Sequence, residues 1–115
     1  VKKNMPLRSD GDGEQSRDMV FVGDVVEANI LSANREKNFN GKSINIGTGK
    51  SISNNKILNI FKERFDNLEI KHAPERPGDV KHTLADTRAA REELNFESKF
   101  SIEEGLEKTF NWWEV

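Results

Sequence analysis

The chain has 115 residues, room for one small domain with a thin core, and 33 % of them are charged against 34 % apolar. A net charge of −2 without any basic block argues against nucleic acid or an anionic membrane as a partner. There is no cysteine, which excludes disulfides and thiolate metal sites, and no apolar run reaches the length of a membrane span or a signal-peptide core.

In chain order the pattern alternates strands and helices, an α/β architecture. Asp10, Asp12 and Glu14 form a turn with solvated acids. They lack the glycine and the closing glutamate of a calcium loop, because Gln15 and Phe21 stand at those positions. Met19 to Val22 is a short apolar run suited to a buried strand. Asp24 is placed to cap a helix running to about Glu36. Along it Val25, Val26, Ala28, Ile30, Leu31 and Ala33 spread round most of the circumference, so it wants burial on most sides.

Ser43 to Ile46 reads as a strand that ends in the Gly47-Thr48-Gly49 turn. Ser53 starts a second helix whose inner stripe is Ile57, Phe61 and Phe65, with Ile52 and Ile57 as its hydrophobic staple. Leu68 to His72 is a strand leading into a proline loop, and Val80 to Leu84 is a further extended piece. Asp86 caps a helix through Leu94. Ser101 with Glu104 makes a capping box for the last helix, which presents Ile102, Leu106, Phe110 and Trp113 on one face. Of Trp112 and Trp113, one is expected as a core anchor and the other as a half-exposed ring.

The segment richest in chemistry is Ala73-Pro74-Glu75-Arg76-Pro77-Gly78-Asp79-Val80. Each proline fixes its own φ and pushes the residue before it towards extended geometry, and Gly78 then releases a turn. A rigid loop presenting Arg76 and Asp79 suits a ligand with both phosphate and hydroxyl groups. The guanidinium offers a planar fork to phosphate oxygens, and the carboxylate accepts from a sugar diol. The same residues also fit an ordinary surface loop with two solvated charges. Arg17-Asp18, ahead of an apolar run, admits two readings as well: a surface ion pair, or a second guanidinium converging with Arg76.

Four pieces in order carry a resemblance: Asp12 to Ala28 with its Arg17-Asp18-Met19 core, Ile44-Asn45-Ile46-Gly47-Thr48-Gly49, the Ala73 to Val80 loop with its Arg76-Pro77-Gly78-Asp79, and Ser101 to Leu106. Together they resemble the C-terminal half of extended short-chain dehydrogenases, the NAD-dependent nucleotide-sugar epimerase and dehydratase family. The resemblance covers nearly the whole chain as one part-domain, 1–115. It implies the small, substrate-binding α/β part of such an enzyme without its Rossmann cofactor domain. By that resemblance Arg17 and Arg76 contact the nucleotide phosphates and Asp79 the ribose. Thr83 stands where a small residue goes with N-acetylated hexoses and a bulky aromatic narrows the sugar pocket.

What the family has and this sequence lacks is equally informative. There is no tyrosine, hence no Tyr-x-x-x-Lys acid/base pair, and no Gly-x-x-Gly-x-x-Gly turn for a dinucleotide pyrophosphate. The expected role is therefore clamping a UDP-sugar for a 4-epimerase that carries NAD elsewhere, with no catalytic residue and no cofactor site in this chain. A dehydratase or reductase of the same superfamily, and a degenerate interaction module without ligand, are the alternatives. Gly47-Thr48-Gly49-Lys50-Ser51 is no P-loop, since Ile44 stands where the first glycine is needed. His72 and His82 have no carboxylate cluster at ligand spacing, so no metal is expected.

The opening Val1-Lys2-Lys3-Asn4 has no initiator methionine, as in a fragment, and the cytoplasm is the expected compartment. A helix apolar on most sides and an unpaired strand predict that the isolated chain is a homo-oligomer or needs the missing N-terminal cofactor domain. Its affinity for UDP-sugars is expected to be weak.

Overall fold

In the computed structural model, which describes residues 5–114, the strands are short and the helices carry the mass. β1 (Leu7–Asp10) pairs in parallel with β4 (Ile70–Ala73), Leu7 opposite Ile70 and Asp10 opposite Ala73. β2 (Ser16–Arg17) pairs antiparallel with β3 (Ile52–Ser53). The helices are α1 (Val22–Ala33), α2 (Asn54–Arg64), α3 (Arg88–Leu94) and α4 (Ile102–Trp113). None is long and apolar enough to cross a membrane.

Local signals set several boundaries. Ser53 caps α2, its hydroxyl accepting from the Lys56 N–H. Ser101 and Glu104 form the reciprocal capping box of α4, each side chain accepting from the other's backbone N–H. Asp86 accepts from the Arg88 N–H at 3.1 Å, although the residue at the helix boundary of α3 is Thr87. The carboxyl of Asp86 is held down at about 2 by hydrogen bonds from the Arg88 side chain and backbone.

Two predicted strands do not form. Met19 to Val22 is too close to the start of α1: Phe21 is the residue before the first turn and Val22 is already helical. Ser43 to Ile46 joins no ladder among the described residues. Its apolar residues Ile44 and Ile46 pack instead on a cluster of Ala28, Ala90, Leu94 and Phe96, which unites α1, α3 and the chain after α3. The extended piece over Val80 to Leu84 is reduced to one bridge, His82 opposite Ser16.

A second apolar centre is aromatic. Phe110 of α4 meets Phe61 of α2 and Phe65 just beyond it edge to face, with centroids 5.1 and 5.2 Å apart. Both tryptophans are exposed, Trp112 at 79 % and Trp113 at 59 %, so neither anchors a core. They follow Phe110 around the last turn, beyond the residue that meets α2.

Asp24 does not cap α1. It sits within the first turn, wholly buried, and its carboxylate accepts from the Ser98 hydroxyl and the Lys99 and Phe100 backbone N–H groups. It thereby ties α1 to the segment that enters α4. Phe21 and Phe100 close the same junction edge to face at 5.0 Å.

The molecule is flat, 51 × 34 × 18 Å, with a radius of gyration of 16.9 Å. A compact chain of this length would have about 13 Å. Its accessible surface of 8443 Å² exceeds by about a third what a folded monomer of this mass exposes. Part of the excess lies on α1, where Val22, Val26 and Ile30, one turn apart, are each more than half exposed.

Candidate functional site

The proline loop folds as its residues dictate. Pro77 and Gly78 occupy the centre of a turn closed by the Asp79 N–H donating to the Arg76 carbonyl at 3.1 Å, and Gly78 has the positive φ of 79° that this turn requires. Arg76 and Asp79 therefore stand at its two ends.

Arg17 reaches the same place from β2. Its Nη1 donates to the carbonyls of Ser16 and Lys81, and its Nη2 donates to Asp79 Oδ1 at 2.9 Å. The ion pair across the loop is half-buried on both sides, and Asp79 Oδ2 accepts no hydrogen bond from a described residue. Arg17, Arg76 and Asp79 thus line one open cavity of about 240 Å³, together with Arg8, Asp10 and Asn54. Thr83 lies outside it. That residue is exposed, and its N–H donates to the Ser16 carbonyl at 3.1 Å, beside the root of Arg17.

Arg17 does not pair with its neighbour Asp18. Asp18 turns the other way and accepts from the Thr48 hydroxyl and from the N–H groups of Thr48, Gly49 and Ala85. Burial pushes this carboxyl up, but the hydrogen bonds from Thr48, Gly49 and Ala85 outweigh it and hold the group below its ordinary value. A side chain on Gly47 would meet Ala85 Cβ at 2.7 Å and Asp18 Oδ2 at 2.8 Å, so glycine is required there by close approach. The Gly47-Thr48-Gly49 turn is thus a carboxylate cradle already filled by the chain's own Asp18. It does not fit a dinucleotide phosphate, and no other glycine-rich turn leads from a strand into a helix among the described residues.

Sequence reasoning missed Arg8 and misplaced Asp10. Asp10 is not solvated: its side chain is 12 % exposed and touches Arg8 Nε and Arg76 Nε, each at 2.5 Å. The Arg8 hydrogen bond outweighs burial and, with the charges of Arg76 and Arg8, lowers its carboxyl below the ordinary range. The signal that could have found the pair is the alternation Leu7-Arg8-Ser9-Asp10, which puts two charges on one face of any strand. Further along, Asp12 accepts from the Glu14 N–H, and Asn55 donates to Glu14. No group of three or more metal-ligating side chains converges among the described residues.

Residues 1–109 match the family described as GDP-mannose 4,6 dehydratase. The UDP-glucuronate 4-epimerase of Thermodesulfobacterium geofontis is 37 % identical over 115 residues, 97 % of this chain and 34 % of that protein. The UDP-N-acetylglucosamine 4-epimerase of Methanobrevibacter ruminantium, solved with UDP-N-acetylmuramic acid, is similar at 35 % identity and a TM-score of 0.86. The match covers 98 % of this chain and 36 % of that one. The UDP-glucuronic acid 4-epimerase of Bacillus cereus, solved with UDP-glucuronic acid and NAD, gives a TM-score of 0.88 at 26 % identity, over 98 % of this chain and 36 % of that one. The chain spans about a third of the length of the curated relatives it matches.

Proposed function

Since the chain belongs to the nucleotide-sugar epimerase and dehydratase family of extended short-chain dehydrogenases, in its C-terminal part, we propose that it clamps the diphosphate and ribose of a UDP-sugar for a 4-epimerase. The observation that carries this reading is the convergence of Arg17, Arg76 and Asp79 on one cavity from β2 and the proline loop. Two guanidiniums supply donors to phosphate oxygens, and the unengaged oxygen of Asp79 supplies an acceptor for a diol. Hydride chemistry needs a tyrosine and a dinucleotide site, and neither is among these residues. NAD belongs, on this reading, to the remainder of the parent enzyme.

Calorimetric titration of the chain with UDP tests the clamp. Weak saturable binding is expected, and Arg17→Ala or Arg76→Ala should each remove about 1.5–3 kcal/mol of it. A chain that does not respond to UDP at millimolar concentration is the degenerate module instead. Thr83, rooted next to Arg17 through Ser16, is proposed to border the sugar. Thr83→Tyr should then weaken UDP-N-acetylglucosamine more than UDP-glucose, and equal losses would remove it from the site.

The reading extends to association. The flat shape and the exposed Val22, Val26 and Ile30 face of α1 support a homo-oligomer in isolation. Sedimentation velocity at low micromolar concentration decides this, and a monomer with a sharp thermal transition would refute it.

A further inference from the structure

An acidic side chain inside an anion site is a paradox that Asp10 raises directly. It lines the cavity with Arg8, Arg17 and Arg76, where a carboxylate should repel the phosphates the arginines attract. Geometry resolves the conflict. Asp10 is short and fixed: β1 is held by its ladder to β4, the Gly11 N–H donates to the Ala73 carbonyl at 2.9 Å, and Asn54 Nδ2 donates to the Ser9 hydroxyl on the opposite face. Arg8 and Arg76 are long and exposed, with side chains 64 % and 68 % accessible.

Both guanidiniums meet Asp10 through Nε, the edge nearest their own backbone, at 2.5 Å. No Nη group of either donates a hydrogen bond to a described residue. One carboxylate therefore holds two guanidiniums side by side by their inner edges and leaves their outer donors unspent. Arg17 is already neutralised by Asp79, so this trio carries the net positive charge of the cavity. Two forks held a carboxylate's width apart suit two linked phosphates better than one.

We infer that Arg8 is a further ligand of the nucleotide diphosphate and that Asp10 is the positioning residue that holds Arg8 and Arg76 together for it. The inference rests on the reading of this cavity as the diphosphate site. It goes beyond that reading by adding a third guanidinium and by giving the partly buried acid a favourable role.

Titration of the full chain with UDP, in the wild type and in Arg8→Gln, Asp10→Asn and the double variant, tests it. Arg8→Gln should weaken binding about tenfold. Asp10→Asn should also weaken it, although it removes a negative charge, and the double variant should be little weaker than either single change because the two act as a unit. Arg8→Lys keeps the charge but lacks the Nε–H that Asp10 holds, and should behave as Arg8→Gln does. If Asp10→Asn tightens UDP, the acid is only a repulsive charge and the positioning role is overturned. Unchanged affinity in Arg8→Gln overturns the ligand role. Arg8 is exposed enough for its replacement to leave the fold intact, so the two Arg8 variants decide the matter should Asp10→Asn fail to fold. A wild type that ignores UDP overturns the clamp and this inference together. A wild type that binds and loses affinity in Arg17→Ala but not in Arg8→Gln overturns this inference alone.

Discussion

Asp10 and Asp79 at the cavity, and Asp18 and Asp24 away from its lining, are the same residue type put to opposite uses. The first two pair with guanidiniums, at the ends of long side chains whose other donors stay available to a ligand. The second two pair chiefly with backbone N–H groups, which cannot move without unfolding the segment that carries them. A carboxylate facing arginine is thus an adjustable clip, and one facing backbone N–H is a staple. Substitutions should divide accordingly into losses of affinity and losses of stability.

The largest expected effect is at Asp24. Asp24→Ala strands the Lys99 and Phe100 N–H groups and the Ser98 hydroxyl, and should cost about 3 kcal/mol in urea unfolding, the upper end for breaking such a buried set. UDP affinity of the molecules that remain folded should not change. A fall in affinity at unchanged stability would erase the distinction between clip and staple.

A smaller loss, about 2 kcal/mol, is expected for Asp18→Asn, whose amide cannot accept at both ends of the cradle. Its pH dependence sharpens the comparison. The folded value of Asp18 lies below its ordinary 3.8, so the stability it confers is fully present above pH 3.8 and is lost as pH falls through the lower folded value. Thermal midpoints of the wild type should therefore drop on acidification below about pH 4, and Asp18→Asn should flatten that part of the profile. An identical acid limb in both proteins would show that other carboxylates set it.

The smallest effect is at Asp86. Its carboxyl is depressed to about 2 by Arg88, yet both side chains are exposed and solvent screens them. Asp86→Asn should leave the thermal midpoint unchanged within error. A resolvable drop would mean that exposed Asp–Arg pairs also staple this fold.

Features settled within one turn of chain were legible beforehand. The Ser53 cap, the Ser101–Glu104 capping box and the Arg76-Pro77-Gly78-Asp79 turn each depend on partners at most three residues away, so residue types at fixed offsets specify them. The candidate arginines Arg17 and Arg76 were legible because a family pattern names them, and the tertiary structure then brought them to one cavity.

What remained hidden depends on residues distant in sequence. Leu7-Arg8-Ser9-Asp10 has little intrinsic strand preference and becomes a strand only because β4 offers it a ladder. Ser43 to Ile46 has that preference, yet forms no strand because no ladder meets it among the described residues. Asp24 has the chemistry of a helix cap, but α1 starts two residues before it, at Val22, and its carboxylate meets residues 98–100 instead. By itself the sequence determined the starts of α2 and α4, the proline turn and the residue types available for a phosphate clamp, because these follow from local geometry. Which distant donors Asp18, Asp24 and Asp79 meet was decided by tertiary structure, since in the free chain any aspartate can satisfy any arginine or N–H and only packing selects one.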